Sequence, residues 1–342
     1  MAGERIRTTV LGFAGALAVF ALLFYFVGVD RLVQQLSTAD PRTVALVLFV
    51  TLGWLTAWSL SLRTVLAVLG LDISTAKAFF VFAGATFSNN ITPFGQAGGE
   101  PVTALLISRT ADAEYETGLA AIASVDTLNF VPSIALALIG VGYFATETTL
   151  GRNLEIAVGA VLVLGLVVPS LIYVGWQRRY SLERRAVRGV TPLIQRIAGV
   201  VPRVSAPSAA IIERRVGRFF QAIERVATNP KGLALAVMLS ATGWAFQMVG
   251  LWLAFEAIGA SIPLSITLFV VPMAAIAGVT PLPGGAGGIE SMLVVLLLAA
   301  TGPMITEPIV LAAVIIYRGA VYWVPMVIGG IVMGVVTVRE RA

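Results

Sequence analysis

Residues Thr280-Pro281-Leu282-Pro283-Gly284-Gly285-Ala286-Gly287-Gly288-Ile289-Glu290 interrupt the apolar region Leu264–Thr301. Two prolines and four glycines in eleven positions cannot continue a helix, because proline lacks an N–H and glycine loses most by ordering. The flanks are nevertheless as apolar as a membrane span. Backbone that leaves the helix inside a bilayer carries N–H and C=O groups that lipid cannot satisfy, so it persists only where protein or a water-filled cavity covers it. A second stretch behaves alike. Thr92-Pro93-Phe94-Gly95-Gln96-Ala97-Gly98-Gly99-Glu100-Pro101 interrupts Thr75–Ser108, after Asn89 and Asn90. Both breaks run Thr-Pro, then Ala-Gly-Gly, then a glutamate within two residues.

Around the breaks, six uncharged or nearly uncharged stretches are long enough to cross a bilayer, which takes about 20 residues of helix. They are Thr8–Gly28, Thr43–Leu62, Gly118–Gly142, Ile156–Trp176, Gly232–Ala254 and Ile309–Val336. The first follows Arg5 and Arg7 and is longer than a typical signal-peptide core, so we expect an uncleaved span. The whole chain agrees: 342 residues, 58% hydrophobic, 12% charged, with a mean hydropathy of +0.93. A soluble domain carries about a quarter charged residues. The expected fold class is all-α, a polytopic membrane helix bundle.

There is no cysteine and no histidine. Disulfides and the usual zinc, haem and iron–sulfur sites are therefore excluded, as are the commonest general base and the strongest nucleophile. No phosphate-binding loop for a nucleotide is present. No cofactor is expected, and the protein is expected not to be an enzyme.

The net charge of +5 is concentrated. Gln177–Lys231 holds twelve Lys and Arg against Glu183, Glu213 and Glu224. Positive loops face the cytoplasm, and without aromatic–basic interleaving the charge does not suggest nucleic acid. Putting that loop, both termini and Arg63 on the cytoplasmic side makes Thr75–Ser108 enter and leave from inside and Leu264–Thr301 from outside. The expected organisation is thus one transmembrane domain with inverted repeats. Residues 43–142 form repeat one, 177–231 a basic cytoplasmic loop, and 232–336 repeat two, each repeat carrying a re-entrant broken-helix hairpin. The alternative is a pair of surface loops joining extra short spans. Within the basic loop, Ile212, Val216, Phe219, Phe220, Ile223 and Val226 share one helical face, with Glu213, Arg214, Arg215, Arg218 and Arg225 on much of the rest. That pattern suits contact with anionic lipids, the alternative being packing on the bundle.

Charges inside apolar spans each cost about 2.5–3.5 kcal/mol at the bilayer centre, so they need partners or water. Asp126 lies in such a span near Asn129, Arg318 in the last span beside Tyr317, and Glu100 and Glu290 close the two glycine motifs. We expect the carboxylates to pair with Arg318 and with donors at the breaks, lining one polar path. A helix that restarts after a break aims N–H groups into it and suits an anion. The candidate path is Asn90, Thr92, Gly98, Gly99, Glu100, Asp126, Pro283, Gly284, Gly285, Gly287, Glu290 and Arg318. A purely structural Glu290–Arg318 bridge is the competing expectation.

These motifs resemble the flippase-like, or lysylphosphatidylglycerol synthase transmembrane-region, family. The resemblance rests on Asn90-x-Thr92-Pro93-x-Gly95-x-x-Gly98-Gly99-Glu100-Pro101, Ser124-Val125-Asp126, Pro281-x-Pro283-Gly284-Gly285-x-Gly287-x-x-Glu290 and Tyr317-Arg318, and it covers nearly the whole chain. It implies a plasma-membrane protein that moves a polar lipid between leaflets, whether aminoacylated, glycosylated or polyprenyl-linked. Synthase activity is not expected, because the chain ends at Ala342 soon after the last span. Where the family often has a basic residue close after the first Gly-Glu, Val102 and Thr103 stand here. Two other readings stay open: an intramembrane lipid-modifying enzyme built on Glu100, Asp126 and Glu290, and a membrane partner of a separate lipid synthase or glycosyltransferase.

Overall fold

The computed structural model describes residues 21–22, 25, 28–92, 96–147, 152–200, 207–280, 282–302 and 305–339. Among the described residues the chain is all-helical. The twelve α-helices are α1 (Val29–Ser37), α2 (Pro41–Val68), α3 (Thr75–Ile91), α4 (Gln96–Ala111), α5 (Tyr115–Glu147), α6 (Arg152–Gln177), α7 (Arg179–Val200), α8 (Ala209–Ala227), α9 (Pro230–Ala257), α10 (Leu264–Ile276), α11 (Gly288–Thr301) and α12 (Glu307–Arg339). Five of the six expected crossings are helices of spanning length and apolarity, within α2, α5, α6, α9 and α12. The sixth, Thr8–Gly28, lies almost wholly outside the described residues. A further apolar segment of spanning length, Pro283–Thr301, comes instead from the second broken region.

Local chemistry sets the helix starts. Asp40 caps α2: its carboxylate accepts from the backbone N–H groups of Arg42 and Thr43 at 3.3 and 3.1 Å, with Pro41 in the first turn. The Thr43 hydroxyl, 2.7 Å away, and those two N–H groups hold the Asp40 carboxyl below its ordinary pKa. Asn229 caps α9 in the same way, accepting from Gly232 N–H at 2.9 Å ahead of Pro230. Capping leaves fewer orphan donors at the membrane boundary.

Helices α2 and α9 pack along one another and form the spine. Small residues allow the approach. An added Cβ on Gly243 would sit 2.1 Å from the Trp58 ring, and one on Gly53 would sit 2.9 Å from Phe246. The Trp58 indole N–H donates to the Ser240 carbonyl at 3.1 Å, and the Ser61 hydroxyl to the Ala236 carbonyl at 3.1 Å. Trp54, Trp58 and Trp244 meet edge to face around this seam. Such pairs add about 0.5–1.5 kcal/mol each beyond area burial.

The hairpins and last helices then cross over. α12 lies on α3, where Gly329 abuts the Ala83 carbonyl; α5 lies on α10, where Gly140 abuts Leu268 and Phe269. Each of these long helices also packs on both α2 and α9. Helix α6 is peripheral, with Val163, Leu166 and Leu171 exposed. In water that surface would be an aggregation liability, whereas in lipid it is simply solvated.

The basic helix α8 turns its apolar face to the protein. Ile212, Ala222 and Val226 are buried, and α8 packs on α5, α7, α9 and α2. Arg215 pairs with Glu116 at 3.3 Å, Arg218 with Glu114, and Glu224 with Arg179 at 3.1 Å. The exposed cations are carried mainly by α7, where Arg184, Arg185, Arg188 and Arg196 face outward beside exposed Leu182 and Leu193.

Candidate functional site

The two breaks differ in form. At the second, α10 ends at Ile276, a 3₁₀ turn covers Ala277–Val279, and a second 3₁₀ turn covers Pro283–Gly285 before α11 begins at Gly288. Gly284, Gly285 and Gly287 have φ of 58°, 64° and 85°. Side-chain-bearing residues avoid that left-handed region, so the glycines are required by the path of the chain. At the first break α3 ends at Ile91, Thr92 is extended, and α4 starts at Gln96; Pro93, Phe94 and Gly95 lie outside the described residues. Gly98, Gly99, Glu100 and Pro101 are therefore inside α4, whereas the sequence reading put them in the break. Gly99 serves contact: an added Cβ would lie 1.9 Å from Asn89 Oδ1 and 2.7 Å from Asn89 N. It lets α4 press against α3, while Pro101, the sixth residue of α4, lies inside the helix and lacks the N–H that would bond the Ala97 carbonyl.

The end of α3 touches the second break. A Cβ on Gly284 would sit 2.8 Å from Asn90 Oδ1 and 2.8 Å from the Tyr322 ring. The Tyr322 hydroxyl donates to the Asn90 carbonyl at 3.3 Å. Thus α3, the Pro283–Gly285 turn and α12 meet at one point, and the two motifs are spatial neighbours.

Charges gather on either side of that contact. Glu290, three residues into α11, folds back so that Oε2 accepts the Gly287 N–H at 2.6 Å. Its other oxygen accepts Arg318 Nε at 2.7 Å. Both side chains of this pair are nearly buried, 4% and 10% exposed. Each is held by its helix: Glu290 by the first turn of α11, Arg318 by the fully buried run Val310–Val314 that anchors α12. The Arg318 guanidinium also lies 5.8 Å from the Tyr322 ring centre, a cation–π distance. A buried pair of this kind is net-weak in stability, but removing one partner costs about 3–5 kcal/mol.

On the first-break side the Glu100 side chain lies beside that of Asp126, bringing α4 to α5. Of the carboxylates expected to pair with Arg318 and with donors at the breaks, Glu290 does both, through Arg318 and the Gly287 N–H, while Glu100 lies beside Asp126. One turn further along α5, buried Asn129 accepts from the Ser240 hydroxyl, and its carbonyl accepts the Trp244 indole N–H at 3.0 Å. The first-break side is thereby tied to the α9 spine.

Several buried polar atoms have no hydrogen-bond partner: Asn89 Oδ1, Asp126 Oδ2 and Asn129 Nδ2 on one side, Thr280 Oγ1 and Arg318 Nη2 on the other. Natural cores leave few such groups, so a cluster at one locus marks function more than stability. Asn89, Asn129, Thr280 and Tyr322 were not among the sequence candidates. The signal that could have found Tyr322 is its spacing of four from Arg318, which places both on one helical face. Of the candidate path, Asn90, Glu100, Asp126, Gly284, Gly287, Glu290 and Arg318 make the contacts above. Thr92 bonds its own helix end through Ser88 at 2.7 Å, and Pro283 and Gly285 are buried in the turn.

Comparison with known proteins agrees with these elements. A UPF0104 membrane protein of Methanothermobacter thermautotrophicus is 28% identical over 334 residues, covering 94% of this chain and 94% of that protein. Another from the same organism is 25% identical over 331 residues, covering 95% and 92%. A UPF0104 membrane protein of Pyrococcus horikoshii is 21% identical over 319 residues, covering 91% and 92%. Residues 9–329 match the family described as the lysylphosphatidylglycerol synthase TM region. Both broken motifs and both charged pairs fall inside that match, and the chain belongs to this family.

Proposed function

We propose that the protein is a lipid translocator, which moves the polar headgroup of a membrane lipid past the two breaks while its acyl chains stay in the bilayer. The observation that carries this reading is the contact of Gly284 with Asn90 and Tyr322, with the buried Glu290–Arg318 pair on one side and the Glu100 and Asp126 carboxyls on the other. A stabilising core has no use for adjacent glycine-rich turns flanked by unpartnered polar atoms. A headgroup path does, because those atoms replace water around a polar cargo.

The same reading takes residues 43–142 and 232–336 as inverted repeats, with the α3–α4 and α10–α11 hairpins re-entrant from opposite faces of the plasma membrane and both termini cytoplasmic. The packing supports it. Exchanging α2, α3, α4 and α5 for α9, α10, α11 and α12 maps every described packing pair among them onto another such pair, including α3 on α12 and α10 on α5. The exposed arginines of α7 suit anionic lipids of the cytoplasmic leaflet, or an acidic face on a separate lipid synthase or glycosyltransferase.

The test is leaflet exchange of fluorescent phosphatidylglycerol in proteoliposomes, read by the fraction that dithionite quenches. Wild-type protein should accelerate exchange, and Glu100→Gln or Arg318→Gln should slow it by about tenfold or more. Unchanged exchange in both variants would sink the assignment of the path. An enzyme would instead convert its lipid in detergent, where no leaflets exist.

A further inference from the structure

We infer that the second break is a phosphate site, formed by the N-terminus of α11, Thr280 and Arg318, and that it holds the phosphate of the lipid proposed above. The inference rests on that proposal only for the lipid; the phosphate site stands on the geometry alone.

Three observations carry it. Helix α11 is 14 residues long, and its start presents N–H groups with no carbonyl one turn earlier to take them. The Gly287 N–H is taken by Glu290, but the first helical N–H groups still point into the break, and an anion is the natural occupant there. The second observation is Arg318. It is nine-tenths buried, Nε is bound to Glu290 Oε1, and Nη2 has no partner. A buried guanidinium with one edge used and one donor empty is a half-filled fork, the shape that takes phosphate oxygens. The third is Thr280. Its Oγ1 is buried without a partner and lies 3.0 Å from where a Cβ on Gly288 would be, so it faces the first residue of α11.

The opposite side of the contact carries no cation among the groups described above. Its unpartnered atoms are the acceptors Asn89 Oδ1 and Asp126 Oδ2, beside Glu100, and one amide donor, Asn129 Nδ2. The guanidinium and the helix start make the second break the better place for an anion. Tyr322, which lies against the Arg318 guanidinium, also meets Gly284 and Asn90, and on this proposal the phosphate reaches the donors when that contact opens. Glu290 then acts as a resident carboxylate. It keeps Arg318 and the Gly287 N–H satisfied while the site is empty, and its charge opposes the incoming phosphate, so that the lipid can leave again.

This assignment makes a prediction of opposite sign to that of a structural ion pair. Calorimetric titration of the full chain in detergent with dihexanoylphosphatidylglycerol should show binding, while dihexanoylglycerol, which lacks the phosphate, should not bind. Arg318→Gln should weaken binding about tenfold or more, with Arg318→Lys recovering part of it. Thr280→Val, a near-isosteric change that leaves the ion pair alone, should weaken it several-fold. Glu290→Gln, which keeps an acceptor for Gly287 and Arg318 but removes the opposing charge, should tighten binding by roughly tenfold. Weakening by Glu290→Gln as severe as by Arg318→Gln would overturn the proposal, as would equal binding of the two glycerolipids. Inorganic phosphate binding as tightly as the phospholipid would keep the phosphate site and overturn its lipid assignment. Phosphate-dependent binding without leaflet exchange would leave this site standing and refute the translocator instead.

Discussion

The absence of native cysteine turns the contact between the breaks into a clean cross-linking experiment. The perturbation is the pair Asn90→Cys and Gly284→Cys. A Cβ on residue 284 would lie 3.1 Å from Asn90 Cα. Adding one Cα–Cβ bond bounds the separation of the two Cβ atoms at about 4.6 Å, and a disulfide needs about 3.5–4.5 Å. The bond is therefore within reach. The reduced double variant carries two costs: Gly284 has φ 58°, where a side chain costs about 1–2 kcal/mol, and its Cβ would lie 2.8 Å from the Tyr322 ring, which must shift. The reduced protein should melt a few degrees below wild type, and oxidation should raise it again. If translocation requires the breaks to part, oxidation should stop lipid exchange in proteoliposomes, and reduction should restore it. Two results would refute the reasoning. Folded double variant that never cross-links would mean that the breaks do not meet. Cross-linked protein exchanging lipid at the reduced rate would mean that cargo does not pass between them.

Four further outcomes are expected. Gly243→Ala drives a Cβ to 2.1 Å from an indole already fixed by its bond to Ser240, so it should cost about 1–3 kcal/mol or more, seen as a lowered melting temperature. Gly142→Ala, with no atom within 4 Å, should be neutral or gain about 0.5–1 kcal/mol. For the docking of α8, Ile212→Ala should free the helix to limited proteolysis, at about 2–5 kcal/mol for a buried isoleucine, whereas Arg215→Ala, an exposed ion pair, should change it by under about 1 kcal/mol and only at low salt. The Asp40 carboxyl has a depressed pKa in the folded protein, so its stabilisation of α2 is present above the ordinary carboxylate value and is lost as pH falls through the folded one. The melting-temperature difference between wild type and Asp40→Asn should shrink on acidification; a difference that grows would contradict the cap.

How much was legible follows from the physics of each feature. Spans such as Pro41–Val68 and Pro230–Ala257 are visible because a bilayer imposes one length and one polarity on every crossing. The Glu290–Arg318 pair was legible for a related reason: a charge in an apolar span must find its opposite. The contacts that depend on which helix meets which were not. Gly98 and Gly99 look like a bend in the sequence, because glycine density signals both a turn and a close approach, and only the position of Asn89 distinguishes them. The basic helix was read as a membrane-surface element from the apolar stripe of Ile212, Phe219 and Val226, yet the same stripe fits a groove on the bundle equally well. Glu114 and Glu116, on the far side of a long sequence gap, tie the helix to the bundle through Arg218 and Arg215. The nearness of Glu100 to Asp126 was not legible, because pairing arguments look for opposite charge.

The arrangement of glycines bears on how the two halves could move together. α12, from the second half, lies on α3 from the first through Gly329; α5, from the first, lies on α10 from the second through Gly140. At both places the neighbour lies against the glycine itself, and interfaces packed that closely slide or separate as units because they cannot compress. Arg318 and Tyr322 lie on α12, which contacts α3 through Gly329, and Asn90 lies on α3 itself. If the protein translocates lipid as proposed, a shift of α3 would act on Asn90 and on α12 together, and opening the path and loosening Arg318 would be one event.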